Sequence, residues 1–445
     1  MYLFKLKTVS ILLLLLVVLK SNGQQEAWSY KRCIEYALAQ NISIKQAELD
    51  VQKSEVNYKQ SKYNQLPSVS GSVSQSFGMS KTYDQTSGEY GDYNTSSSTS
   101  YGVNASVSLF NGLKQKNEIA QSKLQLESGK FYSETVKESV ELNILDAYLA
   151  ILYASEEVNN AEKQIETTQE QLNLANERFD LGIISKSDLL EVKSELASEK
   201  LTLANATSTL TMQKIALMQL MELPVTNDFE IVFPEIDKML PSIGIEDAAT
   251  VYLQAVEIKP QIKEAKLTVE STNLEKKIAK ADLLPSLSLR TGLNSGFSGT
   301  DNFALSTQIS NSITPTAGLT LSIPIFQKNQ VKTNIKLAQI SIENAKLNEI
   351  DTKNSLRKEI EQAVADLNTA NIKYAASEEQ FNASKEAYVV AEEKYKVGII
   401  NTVDFMLVKN NLIEAESTLL QTKFNLLFSS KIIDFYKGTP IQFVN

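Results

Sequence analysis

The sequence predicts a mainly α-helical chain with a transmembrane β portion, built as a tandem duplication. Three observations predict it. Landmarks recur at a nearly constant offset; two pairs of short segments alternate apolar and polar residues; and apolar residues return every seventh position along helical stretches of about 65–70 residues.

The duplication has a period near 217 residues. Ala37-Leu38 to Gln46-Ala47-Glu48-Leu49-Asp50-Val51 aligns with Ala255-Val256 to Glu264-Ala265-Lys266-Leu267-Thr268-Val269 at an offset of 218, and Leu66-Pro67-Ser68 aligns with Leu284-Pro285-Ser286 at the same offset. Phe179-Asp180-Leu181-Gly182-Ile183-Ile184 with Asp188 then matches Tyr395-Lys396-Val397-Gly398-Ile399-Ile400 with Asp404, at an offset of 216. Each half reads helix, strand, strand, long helix, tight turn, helix. The expected repeats are 24–222 and 247–437, separated by a connector over 223–246 (Pro224, Pro234, Pro241) and followed by a tail, 438–445.

Strands are expected at about 68–78, 99–110, 286–296 and 316–326. Val69, Val73 and Phe77 oppose serines at 70, 72, 74 and 76; Val103, Ala105 and Val107 oppose Asn104, Ser106 and Ser108. Leu287, Leu289 and Leu293 oppose Ser288, Arg290 and Gly292, and Leu319, Leu321 and Ile323 oppose Thr320 and Ser322. Segments of about ten residues with this period suit the lipid and lumen sides of a membrane barrel, and equally a half-buried soluble sheet. Polar linkers at 79–98 and 297–315 would be loops. Four strands cannot close a membrane barrel alone, because the smallest have about eight and an open edge leaves backbone groups unpaired in lipid. If these strands span, several chains share the barrel.

Long helices are expected over 111–179 and 327–396, with shorter ones at 31–65, 187–222, 247–283 and 403–436. Ile144, Ile151, Val158, Ile165, Leu172 and Phe179 form a bulky row, beside the smaller row Val140, Ala147, Ala154, Ala161, Thr168 and Ala175. Both recur as Ile360, Leu367, Tyr374, Phe381, Tyr388, Tyr395 and as Leu356, Ala363, Ala370, Ser377, Ser384, Ala391. Further heptad rows, Leu189 to Leu217 and Phe405 to Ile433, follow each turn. Bulky beside small lets helices pack closely, knobs into holes.

Residues 1–23 read as a cleaved secretory signal: Lys5 and Lys7, a largely apolar run from Val9 to Leu19, then Ser21-Asn22-Gly23. Removing its three lysines takes the net charge from −9 to −12, which argues against nucleic acid as a partner. The chain has no histidine, which excludes His-based triads and metal ligands. Cys33 is alone and is expected as a buried helix thiol. After residue 23 no apolar run is long enough to span a bilayer as a helix. No cofactor or metal site is expected, and the absence of a GxxxxGK[ST] loop leaves no phosphate cradle for an energy source.

The arrangement resembles the TolC-type outer-membrane efflux family over residues 28 to about 437. The matching residues are Cys33-Ile34-Glu35-Tyr36-Ala37-Leu38-Ala39-Gln40-Asn41, the Leu-Pro-Ser strand entries, Leu109-Phe110-Asn111-Gly112, Pro324-Ile325-Phe326, and the two Gly-centred turns with Asp six residues on. The resemblance implies a homotrimer, with three chains sharing a twelve-stranded barrel and a twelve-helix coiled-coil tunnel that extends from the outer membrane of a Gram-negative bacterium into the periplasm. It implies a passive exit duct completed by a periplasmic adaptor and an inner-membrane transporter. It also implies that Leu181, Gly182, Ile183, Val397, Gly398 and Ile399 form the periplasmic tip, where the adaptor docks and the tunnel closes.

Glycine at a helix end also has a plain capping role. Asp188 and Asp404 are expected as helix N-caps or as an acidic tunnel entrance, with Asp188 and Glu191 as a capping-box pattern. The chain departs from some relatives in having Leu407 one turn after Asp404 and an apolar Ile400, so an apolar constriction at Ile399 and Ile400 competes with charge-based gating. The alternatives are a secreted coiled-coil scaffold or adhesin without channel activity, and a carboxylate enzyme such as a glycosidase, for which no aromatic-lined cleft is evident.

Overall fold

The computed structural model describes residues 27–225, 229–240, 246–299 and 303–443. The expected signal, 1–23, lies outside the described residues, as do parts of the connector and tail. The elements are α1 (Tyr30–Gln40), α2 (Ile42–Tyr63), β1 (Ser68–Tyr83), β2 (Tyr90–Asn111), α3 (Lys114–Asp180), α4 (Lys186–Leu220), α5 (Ala248–Ile258), α6 (Pro260–Ala281), β3 (Ser286–Ser298), α7 (Leu305–Asn311), β4 (Thr314–Ser322), α8 (Gln330–Lys396) and α9 (Thr402–Tyr436). No helix among the described residues is long and apolar enough to cross a membrane.

Two compact units cut across the repeats, each drawing on both. Among the described residues, one unit draws on 47–134 and 260–354, the other on 27–46, 135–259 and 355–443. The helices α3 and α8, 67 residues each, contribute to both units.

The first unit contains one antiparallel sheet in the order β1-β2-β3-β4. Its register joins like with like. On one face Val73 opposes Tyr101, Val103 opposes Leu293, Leu289 opposes Leu319 and Leu287 opposes Leu321. On the other Ser70 opposes Asn104, Ser74 opposes Ser100, Asn104 opposes Gly292 and Ser288 opposes Thr320. The alternation read along each strand therefore becomes one apolar and one hydroxyl-rich face. A one-residue slip at any ladder would mix them.

The expected loop at 79–98 is mostly strand, leaving only 84–89 as the turn. Its serines, threonines and tyrosines suit a pleated ribbon, and the Tyr83 and Tyr90 rings meet 5.1 Å apart at its end. In the second repeat the expected loop contains the short α7, pinned to β3 by hydrogen bonds from Ser295 Oγ to the Ile309 carbonyl and from the Ser298 N–H to Gln308 Oε1. The strand expected to reach 326 stops at Ser322, just before Pro324, which has no N–H to donate. The long helices start three residues later than expected, because the residues before them turn left-handed: Gly112 and Leu113 before α3, Lys328 and Asn329 before α8. A Cβ on Gly112 would lie 2.7 Å from the Ala281 carbonyl oxygen and 2.9 Å from Leu284 Cβ, so only glycine fits.

The second unit holds the main core, with Tyr30, Cys33, Ile144, Leu145, Tyr148, Ile151, Leu152, Leu217, Met221 and Phe229 buried. Cys33 is the buried helix thiol expected, and burial pushes it up to about 12. The connector crosses this core as a single parallel bridge, Trp28 to Ile231, and Tyr148 donates to the Val232 carbonyl at 2.6 Å.

Both helices expected as continuous, 31–65 and 247–283, are broken at equivalent positions. Asn41 ends α1 and starts α2: its Oδ1 accepts from the Ser43 and Ile44 N–H groups, and its Nδ2 donates to the Leu220 carbonyl. In the second repeat Pro260 opens α6, and Lys259 before it is biased out of the helical region. The Lys259 ammonium is buried, 3.2 Å from Glu138 and 3.2 Å from the Phe435 ring centre. Burial lowers its pKa, and Glu138 opposes that shift.

The small heptad row of α3 is buried throughout, whereas the bulky row is buried only at Ile144 and Ile151. Val140, Ala147, Ala154, Ala161, Thr168 and Ala175 are all buried, whereas Val158, Ile165 and Leu172 of the bulky row are half-exposed. Helix backbones thus meet along the small row. One charged network interrupts it. Lys409 on α9 and Glu199 on α4, 3% and 6% exposed, pair at 2.7 Å, and both bond to the Thr168 hydroxyl on α3. A buried pair is costly to break from one side because the remaining charge is stranded. Lys409→Met is expected to destabilise this unit by about 3–5 kcal/mol, and Lys409→Met with Glu199→Leu to recover most of the loss. Denaturant unfolding followed by fluorescence of Trp28, the single tryptophan, checks both.

Candidate functional site

The two Gly-centred turns lie in the same compact unit and close in the same way. Gly182 and Gly398 have φ of +72° and +79°. Ile183 N–H donates to the Arg178 carbonyl at 2.8 Å and Gly182 N–H to Phe179 at 2.9 Å; Ile399 N–H donates to Lys394 at 2.8 Å and Gly398 N–H to Tyr395 at 3.1 Å. These are the paired bonds of a Schellman cap, and the left-handed glycine makes them possible. Leu181, Ile183, Val397 and Ile399 remain 67–75% exposed, so each turn presents two apolar side chains to solvent.

Asp188 and Asp404 are not the N-caps expected of them. The N-caps are Ser185 and Asn401, whose side-chain oxygens accept from the N–H groups of Asp188 and Asp404 at 3.2 and 2.8 Å. Asp188 completes a capping box from the third helical position by accepting from the Ser185 N–H at 3.0 Å, in place of the expected Glu191 partner. The Ser185 hydroxyl, its N–H and the Thr402 hydroxyl hold the Asp188 carboxyl below the usual carboxylate range.

The strongest bridge is one the sequence reading did not identify. Arg178, in the last turn of α3, donates from Nη1 to the Tyr395 carbonyl at 3.2 Å and from Nη2 to the Lys396 carbonyl at 2.6 Å. Its guanidinium lies 5.1 Å from the Tyr395 ring centre. A cation satisfying orphan carbonyls at a helix C-terminus is favourable both as a hydrogen-bond donor and against the helix dipole. The Tyr395 ring stacks on Phe405, with centres 4.6 Å apart and planes 5° from parallel, in a cluster with Ala175, Val192, Ala391 and Met406. Ile400 packs half-buried against this cluster, while Ile399 points outward, so the two isoleucines of the expected constriction do different things.

Both turns therefore line one cleft of about 640 Å³, with Arg178, Asp188, Tyr395, Ile400, Thr402 and Asp404 among its walls. A guanidinium, carboxylates and hydroxyls across two helix ends can hold those ends together or receive a partner. A basic residue in the last turn and the Ser185-x-x-Asp188 spacing were the sequence signals available for this bridge and this cap.

Ser185→Ala is expected to cost about 1 kcal/mol of helix stability. For Asp188→Asn the pH dependence is informative. A carboxylate with a depressed folded pKa contributes stability above its unfolded value of about 3.9 and loses it as pH falls through the folded value. The gap in thermal midpoint between wild type and Asp188→Asn is expected at neutral pH and should close on acidification through that range.

The chain matches the model of the outer membrane efflux protein family over residues 33–222 and 251–431, one match per repeat. It is 21% identical to the outer membrane efflux protein BepC of Brucella suis, over 76% of this chain and 71% of that protein. It is 25% identical to the outer membrane protein TolC of Salmonella enteritidis, over 81% and 74%. Among solved structures, CusC superposes with a TM-score of 0.80 at 19% identity, covering 94% of this chain and 96% of that one. The CmeC outer membrane channel of Campylobacter jejuni follows at 0.77 and 22%, covering 92% and 85%. The fold is that of TolC-like channels, and the chain belongs to the outer membrane efflux protein family.

Proposed function

We propose that this chain is the outer-membrane exit duct of a tripartite export system, assembled as a homotrimer and conducting its cargo passively. One observation carries the reading: a four-stranded sheet with one apolar face, one hydroxyl-rich face and two unpaired edges. Such a sheet is stable in lipid only when its edges are paired, and three copies joined edge to edge supply twelve strands around a polar lumen. The half-exposed members of the bulky heptad rows, Val158, Ile165 and Leu172 on α3 and Tyr374, Phe381 and Tyr388 on α8, are the surfaces on which neighbouring chains' helices would pack. Residues 1–23 would direct secretion and be removed.

On this reading the chain is not an enzyme, and an inner-membrane transporter supplies the energy. The exposed Leu181, Ile183, Val397 and Ile399, presented by Gly182 and Gly398, are the docking edge for a periplasmic adaptor. The cleft behind them, with Asp188, Asp404 and Ile400, is the gate. Arg178 holds it shut by tying the end of α3 to the end of α8.

The test is to purify the mature chain from outer membranes in mild detergent, measure its mass and reconstitute it in planar bilayers. A trimer with discrete conductance steps is expected; a water-soluble species without conductance would leave a secreted coiled-coil scaffold as the better account. In the same bilayers Arg178→Ala is expected to raise conductance severalfold with helix content unchanged. An unaltered conductance would mean that Arg178 does not close the tip.

A further inference from the structure

Among the residues paired across the three ladders, the hydroxyl-rich face of the sheet carries one charge. The charged residues of the ladders are Arg290 and Lys81, and the alternation puts them on opposite faces. Lys81 opposes Tyr93 on the apolar side, near the end of the ribbon, with its ammonium 4.8 Å from the Tyr93 ring centre. Arg290 opposes Ser106 on one side and Gly318 on the other, within a field of Ser68, Asn104, Ser288, Gly292 and Thr320. It makes no ion pair among the described residues, and a Cβ on Gly318 would meet nothing within 4 Å, so the space beside it is open.

The dimensions make this charge consequential. Twelve strands spaced about 4.8 Å apart and tilted about 40° close into a barrel of radius about 12 Å. An extended arginine crosses roughly half of that radius, and the Debye length at physiological salt is about 8 Å. Three such side chains at one level would leave no part of the cross-section outside their field. The apparent opposition is Asp92, which continues the same face of β2 but lies 14 residues along the strand from Ser106, at about 3.3 Å per residue. It is many Debye lengths away.

We propose that Arg290 is a specificity-determining residue of the barrel, forming a ring of positive charge that favours passage of anionic solutes through this part of the duct. The inference rests on the trimeric-duct reading. The experiment is the reversal potential of the reconstituted channel under a potassium chloride gradient, for wild type, Arg290→Gln, Arg290→Glu, Arg290→Lys and Lys81→Gln. Arg290→Gln is expected to raise the cation-to-anion permeability ratio about threefold and Arg290→Glu further still, as the local field vanishes and then inverts. Arg290→Lys and Lys81→Gln should leave the ratio near wild type. Conducting Arg290→Gln and Arg290→Glu channels with an unchanged ratio would overturn the proposal, as would an equal shift from Lys81→Gln. Absence of conductance from wild type itself would instead strike the duct reading.

Discussion

A β-sheet in hydrocarbon has no water to satisfy its edges. Every unpaired N–H and C=O there costs several kcal/mol, so the only sheets that span membranes are closed ones. Here β1 and β4 are the edges of a sheet with four strands, far fewer than closure requires. Much of the rest follows from that shortage. On the proposed duct reading the chain needs copies of itself, and its helices need surfaces on which those copies can pack. In α3 the small row is buried along its length, while the bulky row is buried at Ile144 and Ile151 and half-exposed at Val158, Ile165 and Leu172.

The parts of the fold legible in the sequence were those with a period. Two-residue alternation found all four strands, and the ladders then joined faces of the same polarity, as burial of one face demands. Seven-residue rows found the long helices. Element ends were less legible, because they are decided by single residues and tertiary contacts. Asn41 and Lys259-Pro260 interrupt patterns that read as continuous, and the ribbon between Met79 and Ser98 has a polar composition that suits loops and strands alike.

At the turns, the glycines were legible because only a left-handed residue closes a Schellman cap with these bonds. The aspartates were legible as capping groups but misplaced by three residues: Ser185 and Asn401 hold the N-cap positions. Arg178 was invisible as a bridge, since its acceptors are backbone carbonyls 217 and 218 residues away, and a carbonyl leaves no mark in a sequence. Lys409 and Glu199 were hidden for a related reason. Each reads as an ordinary charge on a helix surface, and only the packing shows that they face each other.

That buried pair also bears on the history of the duplication. At an offset of 216 the counterpart of Glu199 is Ala415, and the counterpart of Lys409 is Lys193. Ala415 is fully buried, whereas Lys193 is exposed. The lysine is common to both copies, so the divergence lies in the carboxylate, and exchanging Glu199 for the alanine of the other copy would strand the Lys409 charge. A return to symmetry would therefore either strand Lys409, through Glu199→Ala, or bury a new carboxylate, through Ala415→Glu. Once acquired, the pairing makes the two halves non-interchangeable, so that a recombination event swapping one repeat's hairpin for the other's would be selected against even though their turns close identically.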